Sequence, residues 1–247
     1  MLTIPAEDVR AVQIVTAIQH GDVKSLLGQL RDTPDLAAAR IVDVRGVSRT
    51  LLHVVADWPG QFPNGPSIVA TLVAAGADVN AGVIHPRPND CPETALHWAA
   101  SSDDVGVLDA LLDHGADIEA LGAVFTGGAA MSDAVVFAQW GAARRLLERG
   151  ATTTLWQAAA LGLLERVEQF CMQTPPPTHE QITNAFWHAC RGDQRAVAEY
   201  LIGRGADRNW IGHDHKTALD AADEHGGLAL VQWLVDGGAK RTAELAY

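Results

Sequence analysis

Apolar positions along this chain come in short runs at helical spacing, and the runs end alike. Val105, Leu108, Leu111 and Leu112 fall on one side of a helix, the pattern of an amphipathic element with a single buried stripe. The apolar pairs Leu72-Val73, Leu111-Leu112, Leu146-Leu147, Leu201-Ile202 and Leu234-Val235 each run into a Gly-Ala, at Gly76, Gly115, Gly150, Gly205 and Gly238. A glycine there supplies the left-handed backbone position that ends a helix. Upstream lies a second short element, T-L-L-H-V-V-A at 50–56, T-A-L-H-W-A-A at 94–100 and T-A-L-D-A-A at 217–222. Its Thr caps the first turn, and its leucine and small alanines make a narrow apolar face on which another helix can pack closely. The pattern predicts pairs of short helices, repeated.

Gly205 and Gly238 are 33 positions apart, the period of the ankyrin repeat. Thr94, Ala95, Leu96, His97, Trp98 and Ala99 match the T-P-L-H-x-A opening of that repeat except for its proline. On these residues the chain resembles the ankyrin-repeat family, over nearly its whole length, and the resemblance implies a short stand-alone array of the bacterial type. About seven repeats are read: a degenerate first around 17–27, then 50–80, 93–120, 128–151, 154–167, 182–207 and a last closing near Ala239. Gly150 to Gly205 is 55 positions, short of two full periods, so a finger between them is shortened. The expected fold is an all-α, ankyrin-like solenoid of stacked helix-turn-helix units with short or irregular fingers. One such unit cannot bury its apolar face alone, and its neighbours supply the missing core. The expected organisation is one domain over 1–247, with an N-terminal cap to about residue 49 and repeats from about 50 to 240.

Three insertions break the period: D-W-P-G-Q-F-P-N-G-P at 57–66, A-G-V-I-H-P-R-P-N-D-C-P at 81–92 and Q-T-P-P-P-T-H at 173–179. The first is too rich in Pro and Gly to be helical and the second makes a long, proline-stiffened finger, and loops that interrupt an array are where recognition tends to be placed.

Candidate chemistry follows from the register. The resemblance implies that the His of T-x-L-H, here His53 and His97, hydrogen-bonds backbone between neighbouring repeats. It also implies that the next side chain, and the one a turn later, face the concave surface. That places Val54 and Trp58, Trp98 and Ser102, Asp133 and Phe137, Gln157 and Leu161, and His188 with Gly192 on this surface, with Trp187 exchanging for His188 if the register slips by one. The candidate binding residues are therefore Trp58, His97, Trp98, Asp133, Phe137, Trp156, Trp187 and His188. Trp joins a large apolar face to one donor, a combination favoured at binding hot spots. His213-Asp214-His215 falls at a finger tip, where adjacent turn residues seldom converge on one ion, so no metal or cofactor is expected. Phe125 to Ala130 is Gly-rich without the G-K-S/T ending of a phosphate loop, and Asp103-Asp104 reads as a helix cap.

Charge and cysteines narrow the partners. With 18 Lys+Arg against 30 Asp+Glu the net charge is -12, which opposes binding to nucleic acid and favours a basic partner surface. Cys91, Cys171 and Cys190 are odd in number and far apart, which fits reduced thiols and a cytoplasmic protein. Neither a secretory leader nor a membrane-length apolar run stands out, so no membrane association is expected.

The functional expectation is a non-enzymatic scaffold that binds a partner protein through a concave aromatic face and its fingers. The alternative is a small-molecule-binding or enzymatic array with a pocket lined by His, Asp and Trp, with His97, Asp133 or His188 as acid or base.

Overall fold

The computed structural model describes residues 2–87, 92–225 and 227–245. The chain divides into two compact units, Met1–Thr152 and Thr153–Tyr247.

Unit 1 opens with three short strands, β1 (Thr3–Pro5), β2 (Arg40–Val42) and β3 (Ser48–Thr50). β2 pairs parallel with β1 and antiparallel with β3, burying Ile4 and Ile41. This small sheet is absent from the sequence reading, because three-residue strands leave no periodicity to detect. Unit 1 has four helix pairs, the first between β1 and β2 and the other three after β3: α1 (Val9–Gln19) with α2 (Val23–Asp32), α3 (Leu51–Ala56) with α4 (Gly65–Ala74), α5 (Ala95–Ser101) with α6 (Val105–Asp113), and α7 (Ala130–Val136) with α8 (Trp140–Glu148). First helices pack on first helices and second on second, so unit 1 has two helical layers. Leu51, Leu72, Leu96, Leu108 and Leu146 are fully or almost fully buried between them.

Unit 2 repeats the scheme with α9 (Leu155–Ala160) and α10 (Leu164–Cys171), α11 (His179–Arg191) and α12 (Arg195–Gly203), α13 (Ala218–Glu224) and α14 (Leu228–Asp236), and the short α15 (Thr242–Leu245). Its core gathers Ala158, Val167, Phe186, Trp187, Cys190, Leu201 and Leu219. Cys171 and Cys190 are free and buried; Cys91 lies outside the described residues, as does part of the finger at 81–92.

The repeat signals act as read. All five marker glycines hold left-handed backbone, with φ between 83° and 102°. The turn from first to second helix needs the same conformation, and Asp103, Ala138 and Asp193 adopt it at φ 54–57°. Asp104 caps α6 at Val107 N and reaches back to the Gln61 N–H at 2.6 Å, while Asp103 accepts from Ala142 N at 2.6 Å. Those two acids therefore lace three successive repeats. The finger residue two places after each Asp of Gly-Ala-Asp ties the next repeat in the same way: Asn80 to Gly115 O and Asp117 N, Glu119 to Thr152, and Asn209 to Lys240 N.

Candidate functional site

In unit 1 His53 and His97 are spent on the scaffold. His97 Nδ1 faces the Thr94 N–H at 3.1 Å, closing a capping box, and its Nε2 donates to Gly128 O at 3.3 Å, in the next finger. His53 repeats this with Thr50 and Glu93 O, at 3.3 and 2.9 Å. Both rings are fully buried, and burial lowers both pKa values, His53 to about 4. A neutral ring with one engaged acceptor and one engaged donor has no nitrogen left for a substrate.

Trp98, one place on, is only partly buried. The His53 ring meets it edge-on at 5.0 Å and the Arg49 guanidinium lies 6.0 Å from its centroid. It borders a groove of about 760 Å³ whose rim carries Arg45, Arg49, Arg87 and Asp43. Trp58 sits past the end of α3 and is 80 % exposed. Phe137, 41 % exposed, pairs with the still more exposed Phe125 at 5.8 Å.

Asp133 is not at the surface. It is 1 % exposed, its Oδ2 has no hydrogen-bond partner, and the Val124 N–H serves its carboxylate. Burial, with the Glu93 carboxylate nearby, pushes its pKa up to about 7. Burial also raises Glu93, against a hydrogen bond from the Trp98 side chain. Glu93, just ahead of the repeat opening, carried no signal in the sequence because its proximity to Asp133 arises only when α5 and α7 pack.

Unit 2 holds an aromatic cluster. Trp156 on α9 meets His188 on α11 at 4.6 Å; His188 lies 5.3 Å from His213, and Trp187 and Trp210 flank His213 at 5.2 and 5.9 Å. A Cβ at Gly212 would overlap the Trp210 ring, so glycine lets the finger close on the cluster. His188 is buried with Nδ1 unpaired, and burial, then His213 and Arg191, hold its pKa well below the usual histidine value.

Trp187 departs from the expected surface anchor. It is 2 % exposed within the core, and its Nε1 donates to Lys216 O at 3.0 Å. The physical reason is that the finger ending at Lys216 offers a carbonyl to the indole and covers it. Neither Trp187 nor His188 is exposed, so of these three neighbouring rings the partly buried Trp156 is the one left at the surface. The turn at 213–215 is exposed, with His213 donating to Asn184 Oδ1 at 3.0 Å.

Trp156 also borders a groove of about 870 Å³ walled by Phe170 and Pro175–Pro177, with Gln181 and Asn184 on the far side. Gln181, Asn184 and Phe170 were not singled out in the sequence, although the proline finger was.

Comparison with known proteins places this architecture. The ankyrin repeat family model matches residues 93–123. An ankyrin repeat and KH domain-containing protein of Caenorhabditis briggsae is 30 % identical over 180 residues, covering 70 % of this chain and 7 % of its own length, so this chain spans a small part of that relative. The crystal structure of the human ASB11 ankyrin repeat domain matches with a TM-score of 0.52 at 17 % identity, over 90 % of this chain and 96 % of that one. No helix among the described residues is long and apolar enough to cross a membrane. The helix pairs, their glycine stops and their inter-repeat histidines are those of ankyrin repeats, a general protein–protein interaction fold, and the chain has the ankyrin-repeat fold, with the repeat's own sequence match at residues 93–123.

Proposed function

We propose that the chain is a non-enzymatic docking module that holds a partner protein on the first helices of its repeats and the adjoining fingers. One observation carries this reading. Trp98 lies on a first helix of unit 1 and Trp156 on a first helix of unit 2, each partly buried and each bordering a groove of several hundred Å³. A ring fixed at its base and open at its edge binds without first having to be ordered. The net charge of -12 supports a partner with a basic surface, whereas the arginine rim at Trp98 favours an acidic residue at that point. Free, buried Cys171 and Cys190 support a reducing, cytoplasmic setting. Affinity capture from the native cell tests the reading: Trp98→Ala with Trp156→Ala should lose the retained partner while helicity is unchanged. Retention by the double variant would refute it.

A second reading has its own observation, the buried Asp133 with an unpaired oxygen and a pKa near neutrality beside Glu93. A carboxyl poised there suits proton transfer to a small molecule. A metabolite that raises the melting temperature of the native chain but not of Asp133→Asn would favour this reading over docking.

A further inference from the structure

We infer that the groove beside Trp98 holds an acidic segment of the partner chain, with its carboxylates on Arg49 and Arg87 and an apolar side chain against the indole. The inference rests on the docking reading and adds the chemistry of the occupant at this groove.

Charge selects that chemistry. Unit 1 holds 18 Asp+Glu against 10 Lys+Arg, yet the lining of this groove reverses the balance, with Arg45, Arg49 and Arg87 against Asp43 alone. A fourth guanidinium lies beneath it. Arg40 is 6 % exposed and donates from Nη1 to Ser48 O at 3.0 Å and from Nη2 to Gly82 O at 2.8 Å, so its bonds go to carbonyls and not to a carboxylate. Ser48 and Ile84 form the bridge that joins β3 to the finger carrying Arg87.

The acids nearby are already engaged. Asp43 Oδ1 takes the Arg45 and Val47 N–H groups, both at 2.9 Å, and its Oδ2 takes Arg45 Nε at 3.0 Å. Asp57, outside the lining, takes a single nitrogen of Arg49, Nη1 at 2.6 Å. Glu93 accepts from the Trp98 side chain, and burial shifts it towards its neutral form. The rest of the Arg49 fork and the whole of Arg87 have no partner among the described residues. A carboxylate can accept two N–H groups of one guanidinium side by side. Arg49 is held by Asp57 and lies over the Trp98 ring, so little side-chain freedom is lost when it takes a ligand. A basic segment would be repelled here, and a neutral one would desolvate the guanidinium groups without a counter-charge. Between the arginines the groove is apolar, with Val47, Val83 and Pro86 beside Trp98, which suits an apolar residue carried among the acidic ones.

The test uses the full chain and a capped Glu-rich decapeptide containing leucine, with Gln-for-Glu, Lys-for-Glu and phosphoserine-for-Glu decapeptides as comparators, followed by the Trp98 indole signal in ¹⁵N–¹H NMR. The Glu peptide should shift that signal saturably, and raised salt should weaken its binding. Affinity should fall about tenfold or more in Arg87→Glu, which changes an exposed finger residue, and by a smaller factor in Arg49→Gln. If Arg49→Gln fails to fold, the Arg87 variant decides. No saturable shift, equal binding of the Gln or Lys peptide, binding of the phosphoserine peptide alone, or native affinity in Arg87→Glu would overturn the inference. Failure with the Glu peptide while Trp98→Ala with Trp156→Ala still abolishes capture would remove this inference alone. Glu-peptide binding with capture unaffected by that double variant would remove the docking reading and leave the groove's preference for carboxylates.

Discussion

In unit 1 the third residue of α3 and of α5 is a histidine, whereas in unit 2 the same place on α9, α11 and α13 is Gln157, Gln181 or Asp220. All five close a capping box with the preceding Thr. The histidines also reach forward, His53 to Glu93 O and His97 to Gly128 O, so one ring both caps its own helix and ties down the next finger. Asp220 reaches forward by another route, accepting from the Thr242 N–H and hydroxyl at 2.8 and 2.7 Å. Unit 1 is thus stitched by groups that titrate when forced, while acids are about equally dense in the two units, 18 Asp+Glu against 10 Lys+Arg in the longer unit 1 and 12 against 8 in unit 2. Unit 2 puts its rings into the aromatic cluster instead. The same helix pair is therefore held by inter-repeat imidazoles in one unit and chiefly by buried rings and amides in the other.

That contrast can be broken most forcefully in unit 2. Phe186 is fully buried, and Phe186→Ala should cost about 3–5 kcal/mol in a denaturant titration, through lost transfer energy and the cavity left behind.

The pH profile of unit 1 sharpens the comparison next. His53 is depressed to about 4, so its contribution is present above about pH 6.5 and is lost as pH falls through 4. Asp133, raised to about 7, works the other way: its contribution is present below about pH 4 and is lost as pH rises through 7. At about 1.4 kcal/mol per pKa unit each is worth about 3–5 kcal/mol, and the two slopes oppose each other in the native chain. Asp133→Asn should expose the histidine slope, with stability falling as the solution is acidified from pH 7 to 4. His53→Gln should expose the reverse slope. Two flat profiles in chemical denaturation would dismiss the assignment.

Smaller effects separate the caps. Thr94→Ala should cost about 1–2 kcal/mol, because it removes the oxygen bonded to the His97 ring as well as a helix cap, and Thr178→Ala about 1 kcal/mol. Ala138→Gly should stabilise by up to about 1 kcal/mol, since alanine there holds φ of +56°. Thermal melts resolve both.

The helix pairs were legible because each rule acted locally: leucine pairs set the buried face, Gly-Ala stopped the helix, and Thr capped the next. The inter-repeat role of His53 and His97 followed from the T-x-L-H match. What sequence could not rank was Trp187 against His188 against Trp156, because burial of Trp187 is decided by the Lys216 carbonyl and by Gly212, both on a distant finger. Asp133 was placed on the right helix, but its enclosure depends on Glu93 and Val124 arriving from elsewhere. The three strands of the N-terminal sheet were too short to show alternation.

The most direct test of the central claim uses the seven tryptophans as position markers. With the captured partner bound, indole ¹⁵N–¹H signals of Trp98 and Trp156 on the first helices should shift, while Trp140 and Trp233 on the second helices stay in place. Shifts at Trp140 and Trp233, with Trp98 and Trp156 unmoved, would put docking on the second helices and contradict the account.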